Sequence, residues 1–124
     1  MHYDGADLER VATEAGIPVA DVVARHTARE LTVAFGGFAP GFAYLAGLDP
    51  LLCQPRLERP RERIPAGAVG VAGEFSGVYP RASPGGWRLL GRLVDDAPAL
   101  FDTERDPPAL LTVGTRVRFR DADR

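Results

Sequence analysis

Residues 37–50 read GFAPGFAYLAGLDP, with glycines at 37, 41 and 47, prolines at 40 and 50, and Phe38, Phe42 and Tyr44 between them. Aromatic side chains of this size gain roughly 1.5 to 3 kcal/mol each from burial, while Pro40-Gly41 forces a turn in their midst. The stretch is therefore read as a buried, sharply bent backbone rather than a plain loop. Glycine admits positive φ and close approach of another main chain, needs that arise where a backbone lines a pocket and also at a tight turn inside a β-barrel core. The residues leave both readings open.

Residues 79–92, YPRASPGGWRLLGR, repeat the pattern: a Pro-Gly turn joined to aromatics and ending in a strand-like run. Ser83, one of two serines with Ser76, precedes Pro84-Gly85-Gly86 and the single tryptophan, Trp87. Glycines at 85 and 86 free backbone N–H groups to face an anion or a carbonyl. Two similar bends in so short a chain favour one shared concave site, with Phe42 or Tyr44 on one wall and Trp87 on the other.

The remaining signals are mostly those of short strands. Leu31–Phe35 alternates, Val69–Ala72 and Gly77–Tyr79 are short apolar runs beside glycine, and Trp87–Leu93 is longer. In RVRFR, residues 116–120, Val117 and Phe119 face one way and three arginines the other; with Leu110–Val113 and the Gly114-Thr115 turn this reads as a hairpin with one wet face. Short strands separated by glycine turns predict a mainly β chain, a closed or nearly closed antiparallel barrel.

A short helical segment precedes them. Asp4 is placed to cap a run with Leu8, Val11, Ala12 and Ala15 on one face, and Gly16 stands where a C-terminal cap belongs. Pro18 opens a second helix whose apolar positions Val19, Val22 and Val23 set His26 at the stripe's edge, as a dipole-favoured helix-end histidine or an acid-base group. The pair resembles a repressor helix-turn-helix, but Pro18, Val19, Ala20 and Asp21 offer nothing to reach base edges or phosphates.

Between the two bends, PRLERPRERIP at 55–65 carries three prolines, which forbid a regular helix and keep the segment extended. Arg56 and Arg61 each follow a proline, so a partly preset guanidinium is available to clamp a carboxylate or phosphate; a solvated edge paired with Glu58 and Glu62 is the plainer alternative.

Composition narrows the function. The 124 residues, 45% hydrophobic, suffice for one domain that buries about two thirds of its unfolded surface. A net charge of −2 offers no broad field for nucleic acid, and no apolar run approaches a membrane span. A single cysteine, Cys53, and no secretory leader pattern suit a reducing, cytoplasmic setting. All 15 basic residues are arginine, so the chain itself has no lysine for a Schiff base, a phosphate loop, or attached biotin or lipoate. Two histidines and one cysteine make an all-protein zinc site improbable, and none is expected.

GFAPGFAYLAGLDP, PRLERPRERIPAGAVGVAG and GVYPRASPGGWRLLGR, in that order, resemble the family called allophanate hydrolase subunit 1, the Kip inhibitor of a sporulation kinase, or the B subunit of 5-oxoprolinase (carboxyltransferase domain, subdomains C and D). The resemblance runs from about Tyr3 to Phe119 and includes the closing GTRVRF; Ala43, Ala46 and Thr115 depart from its usual proline, glycine and acid. It implies a cyclophilin-like antiparallel β-barrel filling residues 1–124, the C-terminal domain of a longer family architecture whose upstream α/β domain is absent. It further implies a subunit of an ATP-dependent amide or lactam hydrolase, with 5-oxo-L-proline opening to L-glutamate as the leading reaction. Such a subunit acts with a homologous partner, of the type of allophanate hydrolase subunit 2 or the C subunit of 5-oxoprolinase. ATP serves the assembled complex, no cofactor is expected on this chain, and the chain alone is expected to be inactive.

In that reading His26, Arg56 and Arg61 are the catalytic candidates, and Phe42, Tyr44, Tyr79, Ser83, Gly85, Gly86 and Trp87 bind the small amide substrate. Two alternatives stand beside it: a module that inhibits a histidine kinase, and a urea carboxylase-like carboxyltransferase that needs a biotin-bearing partner.

Overall fold

The computed structural model describes residues 1–124. Helix α1 spans Leu8–Ala15 and buries Leu8, Val11 and Ala12; Gly16, at φ 71°, ends it in the left-handed conformation that glycine adopts without strain. Helix α2 spans Val19–Ala28, with Pro18 just before it, and buries Val22, Val23 and His26. Asp4 does not cap α1. Its carboxylate accepts from Arg92 at 2.9 Å, while Asp7 directly precedes the helix and turns its own carboxylate to Arg61 and the Leu89 N–H. For Asp7, a buried, charge-assisted partnership outcompetes a capping bond.

Eight strands follow: β1 Leu31–Gly36, β2 Ala43–Ala46, β3 Arg61–Ile64, β4 Ala68–Ala72, β5 Phe75–Val78, β6 Ser83–Gly85, β7 Arg88–Arg92 and β8 Arg116–Val117. Six make one antiparallel sheet in the order β7-β4-β5-β2-β1-β8. Its two edges are joined by the first residues of the chain. His2 exchanges both backbone hydrogen bonds with Arg92 on β7, while the Met1 nitrogen donates to the Arg120 carbonyl and the Ala122 N–H to the Met1 carbonyl, just past β8. The ring of main-chain bonds thus closes, which removes the open edges that would otherwise pair with another chain.

The hairpin expected at 110–117 does not form. Leu110 donates to the Leu100 carbonyl, and β8 pairs with β1 instead, Leu31 opposite Val117 and Thr32 opposite Arg116. The alternation survives the new partner, because Phe119 is buried and Arg116, Arg118 and Arg120 are exposed. The edge of β1, whose Leu31 and Val33 need cover, is the better template.

The barrel interior holds Leu31, Val33, Leu45, Val69 and Phe119. The helices pack a second cluster, Leu8, Val11, Val22, Leu52, Val71 and Leu90, against its wall. A buried arginine stitches the two layers: Arg88 donates to Glu14 at 2.6 Å, to Gln54 at 2.9 Å and to the Pro55 carbonyl at 2.7 Å. Strands β3 and β6 form a separate ribbon, with Arg61 opposite Gly85 and Ile64 opposite Ser83. Of the segment 55–65, only this part is strand.

Candidate functional site

Seven of the ten aromatic residues, Phe35, Phe38, Phe42, Tyr44, Phe75, Tyr79 and Trp87, form one connected cluster. Phe42 lies 5.2 Å from Trp87 and 5.6 Å from Tyr79, and Tyr44 lies 5.7 Å from Trp87, ring centre to ring centre, all edge to face. The two Gly/Pro bends therefore meet through their aromatics. Gly77 makes the meeting possible: a Cβ there would come 2.9 Å from the Phe42 ring and 3.1 Å from Trp87. The glycines of the bends have different neighbours, Gly41 packing against Leu100 and Phe101 and Gly85 against the Tyr79 ring.

Phe38, at φ 70°, is the one non-glycine residue in the left-handed region, and the residue is 60% exposed. Holding a bulky side chain there costs on the order of 1 kcal/mol or more. The ring lies edge-on to Phe42 at 5.3 Å and to Tyr79 at 6.0 Å.

Two buried hydroxyls lack a hydrogen-bond partner, Tyr79 Oη and Ser83 Oγ. They are the only such side-chain atoms in the protein. Ser83 and Gly85 are two apart on β6 and so share a face, and a Cβ on Gly85 would collide with Tyr79 Oη. Both hydroxyls thus belong to the face of β6 that meets the aromatic cluster. Burial pushes the Tyr79 hydroxyl pKa up, against the opposing pull of the Trp87 backbone N–H and the Arg56 and Arg61 guanidiniums. That N–H faces the phenol without completing a well-formed bond. An unpartnered buried hydroxyl costs about 1 to 3 kcal/mol, so two at one place call for an explanation.

The arginines divide. Arg61 donates through both terminal nitrogens to Asp7, at 2.7 and 2.8 Å. Burial would raise the Asp7 pKa, but the Arg61 guanidinium and the Leu89 N–H outweigh it and hold the carboxyl below its ordinary value. Arg56 is exposed and makes no ion pair, and its Cβ lies beside Gly86. Gly86 in turn accepts from the Leu57 N–H at 2.8 Å.

His26 is not brought to this cluster and is not at the stripe's edge. It is 1% exposed, stacked on Phe119 at 4.6 Å, with Nδ1 2.6 Å from the Tyr3 hydroxyl and Nε2 2.9 Å from Ser76 Oγ. Ser76 spends its one proton on the Gly70 carbonyl at 3.0 Å, so it accepts from His26 Nε2–H. Nδ1 then accepts from Tyr3. The imidazole is neutral and fully bonded, and desolvation, with repulsion from the Met1 amino group, lowers its pKa to about 4.

Asp7, Tyr3 and Ser76 escaped the sequence reading because their partners are remote in the chain. Two surface concavities flank the site. One of about 270 Å³ lies between Ala66-Gly67, Pro80 and residues 93–100 and touches the cluster only at Tyr79. The other, of about 310 Å³, is lined by Arg10, Leu57, Glu58, Arg59 and Arg61. No three His, Cys, Asp or Glu residues converge as metal ligands, and no helix is long and apolar enough to cross a membrane.

Residues 1–111 match the family described as carboxyltransferase domain, subdomain C and D. The chain is 47% identical over 115 residues to the B subunit of 5-oxoprolinase from Escherichia coli O157:H7, an alignment covering 93% of this chain and 51% of that one. Among solved structures it is similar to a conserved uncharacterized protein of Pyrococcus horikoshii, with 44% identity, a TM-score of 0.86, and coverage of 94% of this chain and 53% of that one. It is also similar to the urea carboxylase of Kluyveromyces lactis, with 25% identity, a TM-score of 0.76, and coverage of 97% and 11%. The chain spans about half the length of the curated relatives it matches. With the match running over most of its length and through both aromatic bends, the chain belongs to the carboxyltransferase domain, subdomain C and D family.

Proposed function

We propose that this chain is the barrel portion of a 5-oxoprolinase B subunit, which opens 5-oxo-L-proline to L-glutamate with ATP in company with other subunits in the cytoplasm. The observation that carries the reading is the 41–47% identity to three proteins named as the B subunit of 5-oxoprolinase, across 93% of this chain. The aromatic cluster supports it chemically. A five-membered lactam presents two flat apolar faces and a polar edge, which edge-to-face aromatics and two unpartnered hydroxyls suit.

In this reading Tyr79 and Ser83 donate to the lactam carbonyl or carboxylate once Phe38, strained and exposed, swings aside. Arg56 and the N–H groups near Gly85-Gly86 add positive potential where the amide oxygen gains negative charge. Phosphorylation of that oxygen by ATP opens the carbon to a first water; the ring C–N bond then breaks, its nitrogen taking a proton, to leave an acyl phosphate, which a second water hydrolyses to the carboxylate and phosphate. His26 has no part in these steps, being sealed from the cluster. The relatives are named as one subunit of 5-oxoprolinase, so in this reading catalysis needs a homologous partner subunit and is absent from the chain alone.

The test replaces the matching half of the Escherichia coli protein with this chain and assays the chimera with its companion subunits. ATP-dependent glutamate release from 5-oxoproline supports the reading; a folded, assembled chimera without it refutes the reading. The likeness to urea carboxylase favours a second reading, carboxyl transfer to urea from a biotin-bearing partner. Urea-dependent decarboxylation of carboxybiotin, with no action on 5-oxoproline, would establish that reading instead.

A further inference from the structure

We propose that the cleft between α1 and residues 57–61 binds a phosphoryl group. Three arginines, Arg10, Arg59 and Arg61, line a concavity of about 310 Å³ together with Leu57 and one acidic residue, Glu58. Asp7 and Glu14 stand behind the lining on Arg61 and Arg10, so of the three only Arg59 has no acidic partner.

The three cations are not equivalent. Arg61 is fixed by Asp7, which is buried and itself held by the Leu89 N–H, so its planar group is preset and no side-chain entropy is lost when a ligand arrives. Its Nε edge is free of Asp7. Arg10 is tethered loosely to Glu14, 3.7 Å away and half exposed, and is able to turn inward. Arg59 has no acidic partner, and its exposed position after Glu58 leaves it free to close on an anion.

A carboxylate is satisfied by one guanidinium, whereas a tetrahedral phosphoryl group has three peripheral oxygens and takes charge-assisted hydrogen bonds from several directions. Three arginines, on α1, on β3 and on the bend just before β3, match the second. The cleft shares no aromatic residue with the cluster above, but the Leu57 N–H to Gly86 carbonyl bond, 2.8 Å, joins the two walls. The inference stands on this geometry and holds whether or not the lactam reading does.

The experiment titrates the whole chain with inorganic triphosphate at low ionic strength, following arginine Nε–H resonances, and repeats the titration with ATP. Arg10→Gln and Arg59→Gln are each expected to weaken binding about tenfold, the loss of one charge-assisted hydrogen bond. Both positions are exposed, so the fold is retained, and unchanged melting confirms it. Arg29→Gln, at an exposed unpaired arginine elsewhere, is expected to bind as the parent does. Tighter binding of ATP than of triphosphate identifies a nucleotide as the source, and equal binding identifies the phosphate chain alone; either supports the site. Absence of saturable binding, or an equal loss in Arg29→Gln, overturns it.

Discussion

Phe42 and Trp87 come from the two Gly/Pro bends and lie with ring centres 5.2 Å apart, nearly perpendicular, over the vacant side-chain position of Gly77. This contact ties β2 to the turn before β7, both rings being at least 95% buried. Phe42→Ala is expected to lower stability by about 3 to 5 kcal/mol and to shift Trp87 emission to the red. Urea unfolding followed by tryptophan fluorescence reads both. An unchanged midpoint with unchanged emission would mean that the bends do not support each other.

Arg56 and Arg61 look alike in sequence, each behind a proline, yet they should behave differently. Arg61→Ala leaves the Asp7 carboxylate buried and uncompensated, a loss of about 2 to 3 kcal/mol once the partial exposure of Arg61 is discounted. Arg56→Ala should stay within about 0.5 kcal/mol. Chemical denaturation of the two variants compares them directly; equal shifts would show that the Asp7–Arg61 pair does not hold β3 to the helical layer.

The buried imidazole makes stability pH-dependent. His26 has a folded pKa of about 4 against about 6.5 when unfolded, so in between the unfolded chain binds the extra proton. Stability is fully present above pH 6.5 and is lost as pH falls toward 4, by roughly 3 kcal/mol in all. The carboxylate of Asp7, with its lowered pKa, acts in a separate window below its ordinary value of 3.8. Denaturation midpoints taken from pH 7.5 to 4.5 should slope downward in the parent and lie much flatter in His26→Gln. The same slope in both would place the titrating group elsewhere.

Tyr79→Phe removes a buried hydroxyl that has no partner and should leave the protein as stable as before, or more stable by about 1 kcal/mol. Gly85→Ala should destabilise it, since the new Cβ meets the Tyr79 hydroxyl, and Tyr79→Phe in the same chain should restore part of the loss. Thermal melting of the single and double variants forms the cycle. A double variant no better than Gly85→Ala alone would remove Tyr79 Oη from that face of β6.

What could be read from the sequence was what local chemistry controls. Gly16 ends α1, Pro18 precedes α2, and the alternation at 116–120 sends Phe119 inward, because caps, φ restriction and period-two patterning act within a few residues. The aromatic meeting was legible too, as large apolar rings beside forced turns have few places to go. The partners were not. Leu110–Val113 looks like the mate of β8, yet β1 takes that place, and Asp4 looks like the cap that Asp7's position supplies. His26 reads as a helix-edge residue because Tyr3, Ser76 and Phe119, which enclose it, lie on three other segments.

The central claim is that the two bends form a single lactam-recognising site, and the KM for 5-oxoproline measured in the assembled chimera carrying Tyr79→Phe tests it most directly. The account predicts a KM raised about tenfold, the loss of one hydrogen bond to a polar substrate edge, in a protein that melts no lower than the parent. A KM and kcat both equal to the parent's, with the same melting temperature, would contradict it and reduce the aromatic cluster to a packing core.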